Sequence, residues 1–129
     1  MKRHEIAFPP HPHDAARVVR TFKALADATR VELLLRLSAG ERSVGELVDA
    51  LGAPQSSVSR HLAVLRAAEL VTTRRDGTTV HYRLANAHVG DLVNEAFSHA
   101  EHERLGLPDH GAEVAAPAAR ADGEAAGDT

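Results

Sequence analysis

Between Ser43 and Leu84 the apolar residues change their period once, from helical spacing to alternation, and that change restricts the chain to few folds. Ser43 is placed to cap a short helix through Leu51, and Glu46, three residues on, completes a capping-box pattern. Gly52-Ala53-Pro54 forms a turn, and the next helix runs from about Pro54 to Ala68. After Leu70, two strands flank a two-residue turn at Asp76-Gly77: Val71 to Arg75, and Thr78 to Leu84. Val80, Tyr82 and Leu84 alternate with Thr79, His81 and Arg83, which predicts one buried face and one wet face.

Upstream, Val18, Val19, Phe22 and Leu25 recur at helical spacing from Asp14 to about Ala26. Asp27 is a good N-cap for a second helix, in which Val31, Leu34, Leu35 and Leu37 form a wide apolar stripe and which Gly40 ends. A last helix starts near Asn86 and runs to about His102, with Val89, Leu92, Val93 and Ala96 as an apolar stripe for a dimer contact. The expected fold is mainly α with a small β-hairpin, a dimeric winged helix-turn-helix over residues 14–105. Residues 1–13, with three prolines and three histidines, are expected to be a flexible arm, and residues 106–129 a mostly disordered, acidic Ala/Gly-rich tail.

The 129 residues allow one domain. With no Trp, one Tyr and three Phe, the composition gives no sign of an aromatic ligand pocket or an organic cofactor. No apolar run reaches membrane-span length and the start lacks a signal-peptide core, so a cytoplasmic protein without membrane contact is expected. The chain has no cysteine, hence no thiolate nucleophile and no sulfur ligand. An H-E-x-x-H pattern, a Ser nucleophile setting and a phosphate loop are also missing, which leaves an enzyme reading without support. The formal charge of −3 is unevenly spread. Residues 112–129 hold four carboxylates against Arg120, whereas residues 54–83 hold five arginines against Glu69 and Asp76. A neutral body with one basic edge suits a phosphate backbone.

Two short helices joined by a tight turn, the second rich in small polar residues, form a helix-turn-helix pattern. Val58, Leu62 and Leu65 share one face of its second helix and pack it down, while Gln55, Ser56, Ser59 and Arg60 are displayed near its start. Gln favours adenine, Arg favours guanine, Ser is permissive, and the helix N-terminus offers free N–H groups to a phosphate. Arg74 and Arg75 place two charges just before the hairpin tip at Gly77. The expected DNA-contacting set is Ser43, Gln55, Ser56, Ser59, Arg60, Arg74, Arg75 and Gly77.

The stretches LADATRVELLLRL and SVGELVDALGAPQSSVSRHLAVLRAAELVTTRRDGTTVHYRL resemble the ArsR/SmtB family of bacterial metal-responsive repressors, over about Val18 to His102. The resemblance implies that Gln55, Ser56, Ser59 and Arg60 meet bases and phosphates, that Arg74 to Gly77 form a wing, and that a homodimer is built from the first and last helices. Where thiol-type members of the family carry a Cys-x-Cys pair, this chain has Ser43 and Gly45, so thiophilic ions have no site here.

The last helix is richer in ligands. His88, His99, His102 and His110 fall within one stretch, and Asp91 and Glu95 share the face of the first three. On an ideal helix about 16 Å of rise separates His88 from His99, so one helix cannot close a coordination sphere. Two antiparallel copies can, with His88 of one chain opposite His99 and His102 of the other. The H-x10-H-x2-H spacing resembles the fifth-helix site of the family's zinc and nickel/cobalt sensors, and the continuation AEHERLGLPDH is closer to the actinobacterial nickel/cobalt branch. Asn86 departs from that pattern, standing where those sensors commonly have a carboxylate. Ni²⁺ or Co²⁺ is the expected ion, with Zn²⁺ the alternative, because Ni²⁺ and Co²⁺ accept further nitrogen or oxygen donors beyond three imidazoles. His110 leads the further donors, Glu101 joins only if the helix end frays, and His4, His11 and His13 lie on an arm that can reach the site. His61 and His81 read as surface or packing residues. The resulting expectation is a homodimeric repressor of operator DNA, released by metal and controlling a metal exporter. A winged-helix regulator without metal sensing and a metal-buffering protein are the alternatives.

Overall fold

A computed structural model describes residues 5–106. The described chain forms α1 (Pro12–Leu25), α2 (Ala28–Leu37), β1 (Arg42–Ser43), α3 (Val44–Leu51), α4 (Gln55–Ala67), β2 (Val71–Asp76), β3 (Thr79–Leu84) and α5 (Ala87–Leu105). It divides into two compact units, one reaching to Val93 and one beginning at Asn94. The first unit holds the helix-turn-helix, the sheet and the whole set of buried residues.

α1, α2 and α3 start where side chains can satisfy exposed backbone N–H groups. Asp27 accepts from Arg30 N at the head of α2, and the predicted capping box is present at α3: Ser43 Oγ accepts from Glu46 N at 3.1 Å while Glu46 Oε1 accepts from Ser43 N at 2.8 Å. Gly52 ends α3 in the left-handed region, φ 64°, which reverses the chain into α4 without a Cβ penalty. α1 begins two residues earlier than the apolar pattern indicates, because His11 Nδ1 accepts from His13 N and Pro12 suits the first helical position. Ser38, two residues before Gly40, is the C-cap of α2.

Leu33, Leu34 and Leu37 of α2, Leu47 of α3, and Val58, Leu62 and Leu65 of α4 form the centre of the core, closed by Ala24, Leu70, Val71, Val89 and Val93. Two expectations are corrected here. Leu34 and Leu37 of the predicted stripe of α2 face the core, but Leu33, outside it, is fully buried, whereas Leu35 is exposed. Val89 and Val93 are 7% and 4% exposed and fill the core of their own chain, which removes them from the stripe expected to make a dimer contact. Val18, Val19 and Phe22 of α1 stay more than half exposed, as a face in need of a partner.

The sheet has the order β1-β3-β2, all antiparallel. β1 is only two residues long, too short to leave a periodic signal, and was not anticipated. Asp76 pairs with Thr79, so the turn residues are Gly77-Thr78, one position later than the Asp76-Gly77 expected from sequence. Gly77 takes φ 66°, the conformation that a hairpin turn asks of its first residue. Val71, Thr73, Tyr82 and Leu84 share the face against the core, and Thr72, Arg83, Arg74 and His81 share the other.

Candidate nucleic-acid interface and candidate metal ligands

α4 is held down by Val58, Leu62 and Leu65, each fully buried, and this fixes which side chains its outer face presents. Gln55, Ser56, Ser59 and Arg60 are all exposed, and none of their side chains makes a hydrogen bond or ion pair among the described residues. Pro54, the N-cap residue, has no side chain able to cap the helix, and while its carbonyl accepts from Ser57 and Val58, the N–H groups of Gln55 and Ser56 remain open to an anion. The expected reading surface is therefore on one face, polar and unengaged.

A polar node that sequence reasoning missed fixes the other side of α4. Arg30 donates to the carbonyls of Ala24, at 2.6 Å, and Lys23, at the end of α1. Its Nη1 lies 3.3 Å from His61 Nδ1 on α4, and the same ring nitrogen is 3.6 Å from Asp27 Oδ2. One side chain thus ties the α1–α2 junction to the recognition helix. The backbone N–H of Arg30 holds the Asp27 carboxyl below the usual carboxylate range, with His61 and Arg30 adding charge attraction. A second tie joins Arg17 of α1 to Glu69 just beyond α4. No local pattern announces either pair, since the partners lie far apart in sequence.

The wing residues differ from one another. Arg75 is exposed and its side chain makes no hydrogen bond or ion pair among the described residues. Arg74 donates through Nε and Nη2 to both carboxylate oxygens of Glu41, at 3.1 and 3.0 Å. Ser43 is half-buried and its hydroxyl serves the capping box, which adds a structural task to the expected contact. Gly77 is at the tip.

On α5, His88 is exposed in the first turn, His99 is exposed and His102 is half-buried. Glu101 lies 3.9 Å from Arg104, a partner that competes for it as a ligand. His110 and His4 lie outside the described residues, and so does most of the predicted tail. His11 and His13 stand at the head of α1 with their rings edge to face, 6.3 Å apart. Among the described residues of one chain, no three His, Asp or Glu side chains come together as a metal-ligand set. The available donors are imidazoles and carboxylates, which suit Ni²⁺, Co²⁺ and Zn²⁺ far better than thiophilic ions.

Residues 27–73, from the cap of α2 into β2, match the profile of bacterial regulatory proteins of the arsR family. Over 102 residues the chain is 54% identical to the HTH-type transcriptional regulator KmtR of Mycobacterium tuberculosis, covering 78% of each protein. This chain belongs to the ArsR/SmtB family. The HTH-type transcriptional regulator NmtR of the same organism is 43% identical over 95 residues, 74% of this chain and 79% of NmtR. The solution structure of apo-NmtR superposes with a TM-score of 0.62 at 39% identity, covering 84% of this chain and 92% of that one. A homodimeric winged helix-turn-helix DNA-binding domain from Mycobacterium bovis, a possible ArsR-family regulator, gives a TM-score of 0.70 at 29% identity, over 85% of this chain and 99% of that domain. As an ArsR/SmtB protein the chain is a DNA-binding transcriptional regulator and not an enzyme, and its fold is the winged helix-turn-helix read from the sequence. None of its described helices is long and apolar enough to cross a membrane.

Proposed function

We propose that this ArsR/SmtB chain is a cytoplasmic homodimeric repressor that grips operator DNA through α4 and is released when Ni²⁺ or Co²⁺, or alternatively Zn²⁺, is held by histidines of paired α5 helices, with a metal exporter as the controlled gene. The observation that carries the DNA part is the start of α4: four exposed, unengaged side chains beside an uncapped helix end, on a helix whose opposite face is fully buried. In a dimer, two copies of α4 enter successive major grooves about 34 Å apart. Gln55 and Arg60 reach base edges, Ser56 and Ser59 meet bases or phosphates, and Ser43 and Arg75 meet the backbone on either side with the tip at Gly77.

The exposed Val18, Val19 and Phe22 supply the apolar surface that pairing covers. His88 of one chain with His99 and His102 of the second copy would hold the ion, and His110 and Glu101 are the further donors. When bound, the ion ties the two chains together through their α5 helices. The Arg30–His61 node and the Arg17–Glu69 pair make each α4 follow its own α1, so a change in chain pairing alters the spacing of the two recognition helices. A coupling of about 1–3 kcal/mol weakens DNA binding roughly 5- to 150-fold.

The DNA assignment is tested by footprinting on a duplex that the wild-type protein selects from a randomised pool. Arg60→Ala is expected to weaken that footprint by about 1–3 kcal/mol, with relaxed preference at one base position. An Arg60→Ala footprint of wild-type strength and selectivity contradicts it.

A further inference from the structure

Arg74 and Arg75 are neighbours on β2 and therefore point to opposite faces of the wing. Arg74 lies across from His81, on the face turned away from the core, while Arg75 lies across from Val80. Glu41 stands two residues before Ser43, whose β1 position pairs with the same His81. From there its carboxylate meets the Arg74 guanidinium with both oxygens, at 3.0 and 3.1 Å. A bidentate carboxylate occupies the donor fork that a phosphate would use. The pair survives at neutral pH, since the hydrogen bond from Arg74 holds the Glu41 carboxyl below its ordinary range, with His81 and Arg83 adding attraction. A phosphate that approached Arg74 would meet a second anion beside it. Arg75 has no such companion.

We infer that Glu41 sets how many phosphates the wing can meet: it holds Arg74 as a neutral pair, leaves Arg75 as the free cation beside the wing tip, and so limits electrostatic, sequence-independent binding. This rests on the DNA-binding reading above. Non-specific affinity depends almost wholly on how many free cations meet phosphates, whereas operator affinity also draws on the base contacts of α4. Removing one cation per protomer from the phosphate count therefore lowers affinity for any duplex and makes it less salt-dependent, without touching the base contacts. Arg74 becomes a positioning partner and Glu41 the residue that sets the phosphate count of the wing.

The test is fluorescence-anisotropy titration at several salt concentrations with two duplexes, one of mixed sequence and one selected from a random pool by the wild-type protein. Four proteins are compared: wild type, Glu41→Gln, Arg75→Ala, and the pair-deleted Glu41→Ala/Arg74→Ala, which leaves no unpaired carboxylate behind. Circular dichroism confirms that each is folded. Arg75→Ala is expected to make the log–log salt slope shallower by about 0.9 per protomer, the contribution of one phosphate contact. The pair-deleted protein keeps the wild-type slope. Glu41→Gln steepens the slope by an amount similar to that which Arg75→Ala removes, and raises affinity for both duplexes. A pair-deleted slope that falls as far as that of Arg75→Ala, or a Glu41→Gln slope equal to wild type, overturns this inference while wild-type binding keeps the functional proposal standing. Failure of the wild type to bind either duplex overturns both.

Discussion

Glu69 takes φ 61°, the one non-glycine residue in the left-handed region among the described residues. It follows the C-cap of α4, where Leu70 N donates to Leu65 O at 2.9 Å and the chain turns into β2, a position at which glycine is usual. Its side chain explains the exception, because Arg17 pairs with it. Two substitutions separate these effects. Glu69→Ala keeps the strained backbone and loses the exposed pair, while Glu69→Gly also removes roughly 1 kcal/mol of strain. Urea unfolding is expected to show Glu69→Gly the more stable of the two by about that amount, and equal midpoints would contradict the assignment. Acid sensitivity belongs to the same scale. Asp27, Glu41 and Glu46 all have carboxyls held below their ordinary range, by the Arg30 backbone, the Arg74 guanidinium and the Ser43 backbone respectively. The unfolded chain therefore takes up their protons first as pH falls. Their contribution is complete above the unfolded carboxylate range, about 4, and is lost as pH drops through the lower folded values. Urea midpoints are expected to fall across that window and to fall less in Glu46→Gln; midpoints that hold steady or rise on acidification would contradict this account.

Among the elements, what the sequence made legible was whatever a local pattern controls. The capping box at Ser43 and Glu46, the turn at Gly52, the buried face of α4 and the hairpin were all readable, because each depends on residues within a few positions of one another. β1 was not, since two residues carry no period and its existence depends on pairing with β3. The reassignment of Val89 and Val93 has the same origin: an apolar stripe states that a face is covered and leaves open which surface covers it. Glu41 escaped sequence reasoning because its partner Arg74 lies 33 positions away, on the far strand of the sheet. α1 is the element whose own chain covers it least. Only Ala24 is buried, and Val18, Val19 and Phe22 are 52%, 54% and 56% exposed. Placing a charge there is expected to prevent dimerisation without unfolding the core. Phe22→Asp should sediment as a monomer and lose most of its operator affinity, since one recognition helix cannot engage two half-sites. A Phe22→Asp protein that remains dimeric would move the pairing surface elsewhere.

At the scale of the whole molecule, an ArsR/SmtB winged helix-turn-helix would be joined to the proposed metal response through its paired α5 helices. Among the described residues no three ligands come together within one chain, and on an ideal helix His88 is too far from His99 to share an ion with it, so the proposal takes His99 and His102 from a second copy. Serine and glycine at positions 43 and 45 turn the donor chemistry away from thiolates. The most direct measurement is titration of Ni²⁺, Co²⁺ and Zn²⁺ separately into the preformed protein–operator complex, followed by anisotropy, for wild type and for His88→Ala and His102→Ala. The account predicts release of wild type by at least one ion, with affinity falling roughly 5- to 150-fold, and retention of both variants on DNA at the same ion concentration. Unchanged operator affinity of the wild type at saturating concentrations of all three ions would contradict it.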